Sequence, residues 1–341
     1  MPPESTAQSA NLPTQKPIAA FLRSRLPLVI LLLIIVLFGG FLASRQPLFL
    51  TPGTLGYIFK YYSPMAMLAL GMTFVILTGG IDLSVGFGMM LLMFVMAGVA
   101  RDHPGASAFV MLGAGIFASL ASGGVIGGAV AFGRIPSFIV SLAVMVAAYG
   151  ITLIISQNQS ISNLPPGLLW LGSTEFSLAG TTFPLMMPVV ILSYIAGAIL
   201  LGKTSFGRHL YAIGSNREAA RLSGINVRKT ELAAYLLSWL CVWAAAWMQI
   251  GINRNADPKV ALSDNLELNA IAIVVIGGTS LTGGRGGVAG TALGAMLLSM
   301  IFYGLPLIGI NEPSYKKLIQ GGIILLGAVL DAVQRKFSKT A

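Results

Sequence analysis

The stretch "LTGGIDLSVG", Leu77 to Gly86, sets one carboxylate, Asp82, between two apolar runs in a chain with only 11 acids among 341 residues. Three chemistries are open to such a group: carrying a proton, contacting a solute, or accepting hydrogen bonds from the exposed amides of a helix start. A second stretch, "GGTSLTGG" at Gly277 to Gly284, repeats the pattern Gly-Gly-x-x-Leu-(Ser/Thr)-x-Gly and puts Ser280 where the first has Asp82. The two side chains share the ability to accept from backbone N–H groups but not a titratable proton. The repeat therefore reads Asp82 as a cap for the helix that follows, with gating or solute contact as the alternative. The residues assigned to a pathway or gate are Gly79, Gly80, Asp82, Ser84, Asn269, Gly277 and Gly278.

Elsewhere the polar residues within apolar runs are uncharged, such as Asn269, Gln249 and Thr152, and no other acid or base falls clearly inside a span. This pattern argues against coupling to protons or sodium, which ordinarily needs carboxylates or a histidine relay along the path. His103 and His209 read as loop residues, and the single cysteine, Cys241, excludes an intrachain disulfide or a cysteine metal site. Trp239, Trp243 and Trp247, spaced by four, share a helical face that reads as helix or lipid packing, with a sugar-stacking wall as the alternative.

The elements that position these residues follow from composition. Hydrophobic residues make up 55% of the chain, charged residues 9%, and the mean hydropathy is +0.83, too apolar for a soluble domain. Blocks such as "LPLVILLLIIVLFGGFLA" are continuously apolar rather than alternating, which excludes a barrel of strands. The fold class is all-α: a polytopic membrane protein of about ten transmembrane helices with an internal repeat. The spans fall near Leu26–Leu42, Ser63–Thr78, Leu83–Ala100, Ser107–Phe132, Ser137–Ile155, Phe183–Leu201, Glu231–Ile252, Leu266–Thr279, Val288–Ile308 and Lys317–Val333. Residues 1–25 read as a disordered cytoplasmic tail, 26–334 as the membrane domain and 335–341 as a second tail.

With the amino terminus inside, fourteen of the 21 lysines and arginines lie on one side, including the loop 202–229, so both termini are expected in the cytoplasm. This explains the net charge of +10 without nucleic acid. The long external connection Ser156 to Thr182 carries no Lys or Arg and has room for a short interfacial helix or a contact with a soluble partner. In the internal loop, "SNREAARLSG" pairs Ser215 with Glu218 as a capping box and places Gly224 to end a helix of about Asn216 to Ser223. "SDNLE" offers a similar box, Asp264 with Glu267. Asn253, Arg254, Asp257 and Glu267 are expected to face outside; Arg254, Asp257 and Glu267 are candidates for docking a binding protein.

"EAARLSG", Glu218 to Gly224, resembles the Glu-Ala-Ala…Gly signature of permease subunits in bacterial ATP-binding cassette (ABC) importers. "TGGIDLSVG", "FGRHLYAIGSNREAARLSGINV" and "LNAIAIVVIGGTSLTGGRGGVAGTALGA" are similar to its ribose-type branch over about Tyr61 to Asp331. The segment Ile252 to Asn269 departs from that pattern, and Asn269 stands where an acid is frequent in the family. The resemblance implies a coupling helix that docks an ATPase, assigned to Gly207, Arg208, Gly214, Ser215, Asn216, Glu218, Ala219, Ala220, Arg221 and Gly224. It implies a homodimer or a heterodimer with a sister permease, a cytoplasmic ABC ATPase that binds ATP and Mg, and a periplasmic sugar-binding protein. The membrane is then a bacterial inner membrane. No cofactor is expected in this chain, and "GGRGGVAGT" lacks the lysine of a phosphate-binding loop. The function implied is import of a monosaccharide or related sugar by alternating access. An ion-coupled or facilitative secondary sugar transporter is the alternative.

Overall fold

The computed structural model describes residues 17–259, 261–262 and 265–339. Its helices are α1 (Pro17–Arg45), α2 (Pro52–Leu77), α3 (Val85–Asp102), α4 (Ala108–Ala131), α5 (Ser137–Ser156), α6 (Pro166–Ser173), α7 (Met186–Lys203), α8 (Ser205–Ser215), α9 (Arg217–Leu222), α10 (Val227–Asn253), α11 (Leu266–Ile276), α12 (Val288–Leu307) and α13 (Pro313–Lys339). A helix is found at each of the ten predicted spans. Eight of the described helices (α1–α5, α7, α10 and α12) are long and apolar enough to cross a membrane. α11 corrects the expectation of a full crossing at Leu266–Thr279. At 1.5 Å per residue its 11 residues reach about 16 Å, roughly half of a ~30 Å hydrocarbon core. It stops because Gly278 takes a left-handed conformation (φ +81°), with the Gly278 and Thr279 amides turned back onto the carbonyls of Val275 and Val274.

Both predicted tails are partly helical. α1 starts at Pro17, which suits a first helical position, and joins the apolar run from Leu26 without a break, while α13 continues through Lys339. Residues 1–16 and 340–341 lie outside the described set. The connection Ser156–Thr182 holds the short helix α6 and, unforeseen, the first strand of an antiparallel hairpin, β1 (Glu175–Leu178) with β2 (Thr181–Pro184). Its two-residue turn, Ala179–Gly180, has positive φ at both positions (50° and 79°), the geometry that matches strand twist.

The core is built around α2, buried along most of its length and flanked by α10, α11, α12 and α7. Gly71 lets α2 and α10 touch backbone to backbone, since a Cβ there would lie 2.8 Å from the Ser238 carbonyl oxygen. Helices α4, α5 and α7 turn Phe109, Phe117, Ile154 and Leu192 outward, as a helix does when its solvent is lipid. Arg134, the segment Lys203–Lys229 and Arg285 gather at one end of the bundle, here called the basic end; α6 and the β1–β2 hairpin lie toward the other.

Candidate coupling and gating site

At the basic end three segments meet with almost no side chain between them: the end of α2, the loop from Gly277 to Gly287 and the end of α8. The Gly284 amide donates to the Leu77 carbonyl at 3.0 Å. A Cβ on Gly214 would strike that carbonyl and the Gly284 amide, one on Gly284 would strike Ser215, and one on Gly283 would strike Gly79 and Gly214. The Tyr211 hydroxyl closes the junction by donating to the Gly286 carbonyl at 2.9 Å. Burial raises the Tyr211 pKa above its ordinary value, so the hydroxyl stays a donor at neutral pH. The second copy of the repeated motif, through Gly283–Gly284, thus lies directly on the segment that carries α9, and the first reaches it through the approach of Gly79 to Gly283 and through Leu77 just before the motif.

The helix α9 follows directly. Its cap is Asn216, whose Oδ1 accepts from the amides of Glu218 and Ala219 at 3.1 and 2.9 Å. This corrects the predicted Ser215–Glu218 box: Ser215 is the last residue of α8, where its hydroxyl donates to the Tyr211 carbonyl, and Glu218 pairs with Arg221. That pairing holds the Glu218 carboxyl below its ordinary pKa. Gly224 takes the left-handed conformation expected of it (φ +84°). Ala220 is buried with Ile213 and Val227, whereas Ala219, Glu218, Arg221 and Leu222 face outward, Leu222 with 72% of its surface exposed. Gly207 is buried, a Cβ there colliding with the Leu201 carbonyl, while Arg208 is exposed. His209 lies within α8 rather than in a loop.

Asp82 is wholly buried. One oxygen accepts from the Ser84 amide at 2.9 Å and from the Ser84 hydroxyl; the other accepts from the Trp239 indole N–H at 3.1 Å. The predicted capping role therefore takes another form. α3 begins at Val85, and Asp82 clamps the turn just before it while tying that turn to the middle of α10. Gly88 and Gly123 make room for the indole. The proposed equivalence with Ser280 fails in detail, because α12 begins only at Val288, eight residues beyond Ser280. Gly79 and Gly278 each end their helix with positive φ (84° and 81°), one residue out of step with the motif. Gly80 packs beside the Tyr235 hydroxyl, and Gly277 faces Gly290 at the crossing of α11 and α12.

Two buried acids escaped the sequence reading. Glu231, almost fully buried, forms an ion pair with Arg217 of α9 at 2.8 Å. Glu267 is buried against Gly86 at the start of α3 and is not available to dock a partner, so its assignment to the external surface is corrected. Each lies near a helix start, Glu231 in the second turn of α10 and Glu267 in the first of α11, where the sequence leads one to expect solvent. Of the other docking candidates, Arg254 is exposed and Asp257 half-buried, its carboxylate accepting from the Lys259 amide. Asp264, the other half of the second predicted box, lies outside the described residues. Asn269 is buried far from the junction, on the wall of a cleft at the opposite end. The tryptophan stripe packs between helices: Trp239 reaches Asp82, and the Trp247 N–H donates to the Leu168 carbonyl of α6.

The model of the family "Branched-chain amino acid transport system / permease component" matches residues 54–328. The chain is 35% identical over 320 residues to the ribose import permease protein RbsC of Escherichia coli (strain K12), covering 92% of this chain and 94% of that one. It is 31% identical to the fructose import permease protein FrcC of Rhizobium meliloti, over 91% of this chain and 85% of that one. It is also 31% identical to the probable ABC transporter permease protein y4mJ of Sinorhizobium fredii, over 99% and 96% of the two chains. No solved structure matches the chain.

Proposed function

We propose, for a chain that belongs to the branched-chain amino acid transport system / permease component family, that it is the membrane subunit of an ATP-driven importer of a monosaccharide. Ribose and fructose are what two of its relatives are named for, and a third is named as an ABC transporter permease. In this reading the basic end faces the cytoplasm, as do both termini. Two copies, or one copy with a sister permease, enclose the path, and a periplasmic binding protein delivers sugar to the end carrying Arg254, Asp257 and the β1–β2 hairpin.

The observation that carries the proposal is the placement of α9. It projects Glu218, Arg221 and Leu222 to solvent while its root packs, largely backbone to backbone, on the loop that carries the second copy of the repeated turn and on Leu77 just before the first. A partner ATPase that grips α9 pulls on α2 and on the α11–α12 loop together, and a rigid displacement of that kind opens a bundle alternately to its two sides. ATP and Mg act in that partner. Of the buried acids, Asp82 is engaged by three donors and Glu231 is matched by Arg217, which lends the secondary-carrier alternative little; Glu267, whose buried Oε2 accepts no hydrogen bond among the described residues, is the acid on which that alternative would have to rest.

The test is uptake in proteoliposomes. Glu218→Ala with Gly224→Val is expected to abolish ATPase association and ATP-dependent uptake while the permease still folds. Uphill accumulation of sugar by the purified chain with no ATPase present would overturn the proposal.

A further inference from the structure

Glu231 sets a carboxylate in the second turn of α10 with only 3% of its surface exposed. It faces α9, whose first residue, Arg217, donates from its guanidinium to that carboxylate at 2.8 Å. Such a pair is a poor way to stabilise a fold, because taking the acid out of water costs nearly what the attraction returns and apolar residues of similar volume often serve as well. Its position explains more.

α9 and α10 are joined by residues 223–226, with Gly224 in the left-handed conformation (φ +84°). Of the six residues of α9 only Ala220 is buried, against Ile213 and Val227. One alanine and a glycine turn leave so short a helix free to swing about its end. Arg217 lies at the end of α9 farthest from that turn, and its ion pair reaches back to α10. α9, the glycine turn and the start of α10 thereby become the sides of a closed triangle, which cannot hinge at Gly224 while the pair holds. From there α10 leads inward. The Ser238 backbone lies against Gly71 of α2, the Trp239 indole donates to Asp82 just before α3, and the Trp239 carbonyl accepts from the Ser119 hydroxyl of α4 at 2.7 Å. This route is separate from the glycine junction, which reaches α2 and the α11–α12 loop through α8.

We infer that the Arg217–Glu231 pair is a brace that makes α9 and α10 move as one rigid body, so that a pull on α9 tilts α10 instead of bending the chain at Gly224. Arg217 and Glu231 are positioning residues in this scheme. The inference rests on the reading of the chain as an ATP-driven importer, and it adds a second line of transmission and the two residues that carry it.

The test assembles permease, ATPase and binding protein in liposomes and counts sugar molecules imported per ATP hydrolysed, with a panel of pentoses and hexoses as probes. Glu231→Leu removes the brace without leaving a buried charge, at a position out of a partner's reach, while half-exposed Arg217 returns to water. The expected result is that ATPase association and ATP hydrolysis persist while sugar imported per ATP falls at least threefold. Adding Arg217→Ala is expected to lower the ratio no further, and Arg217→Lys, which keeps the charge, to stay within twofold of native. Arg217→Ala with Glu231→Gln separates coupling from stability: it is expected to unfold near the native temperature and yet stay uncoupled. If Glu231→Leu imports as much sugar per ATP as native, or the Ala–Gln variant recovers coupling along with stability, the pair only supports the fold and the inference falls while the importer reading stands. Loss of the ATPase from Glu231→Leu would overturn it too, since the pair would then serve docking. If the native assembly imports no sugar of the panel at the expense of ATP, both readings fall together.

Discussion

Asp82 is held by the Ser84 amide, the Ser84 hydroxyl and the Trp239 indole, the last reaching it from another helix, whereas Ser280 is tied within its own loop, its amide donating to the Arg285 carbonyl, its carbonyl accepting from the Gly283 amide and its hydroxyl sharing a hydrogen bond with that of Thr282 at 3.0 Å. Two turns that share a motif are thus secured by different means. The first leads straight into α3 and lies against α10, so a side chain there has donors to collect on both sides. The second runs on for several more residues before α12 and is wedged against α2 and α8, where only glycine fits. The shared glycines end two helices alike; the residue between them is free to differ because the surroundings do.

This contrast can be broken at either turn. The largest effect is expected at the glycine junction, where Gly214→Val forces a branched side chain into the Leu77 carbonyl and the Gly284 amide. Separating those backbones is expected to cost about 3 kcal/mol or more and to abolish uptake, as read by thermal unfolding and by transport in proteoliposomes. Next in size is Asp82→Asn. The amide oxygen can keep the Ser84 bonds, but its NH2 then faces the Trp239 N–H, donor against donor, at a cost of about 1–3 kcal/mol. Trp239→Phe should cost a similar amount alone and less when combined with Asp82→Asn; a double-mutant cycle showing strict additivity would mean the bond carries no energy.

Arg217→Ala leaves the buried Glu231 carboxylate unpaired. Since Arg217 is half-exposed, the expected loss is only about 1–2 kcal/mol, and Glu231→Gln in the same chain should recover most of it. The smallest effect is expected at the second turn: Ser280→Ala keeps both main-chain bonds and loses those of the hydroxyl, that to Thr282 among them, so stability should fall by about 1 kcal/mol with uptake near normal. A loss at Ser280 equal to that at Asp82 would overturn the distinction between the turns.

Much of the helical plan was legible because lipid imposes a length and an apolar character on every crossing, and both are written in the order of residues. Gly224 and the exposed residues of α9 were legible for a related reason: capping and left-handed turns are local. The half-length of α11 was not, because Thr279 and the residues before it continue the apolar run, and the helix end depends on Gly278 turning away toward α8 and α2. The Asn216 cap was missed for a smaller cause, since Ser215 and Asn216 are both good caps and the extent of α8 chooses between them.

Sequence alone determined the membrane class, most of the helix positions and the short helix that projects from the basic end. These follow from local propensity and from the cost of placing unpaired backbone in hydrocarbon. Only the tertiary structure decided the partners: that Asp82 meets Trp239 across 157 residues, that Glu231 meets Arg217, and that Gly214, Gly283 and Leu77 close on one another. A buried polar or glycine contact is set by whichever element happens to pack against it, and that information is spread over the whole chain rather than carried by either residue.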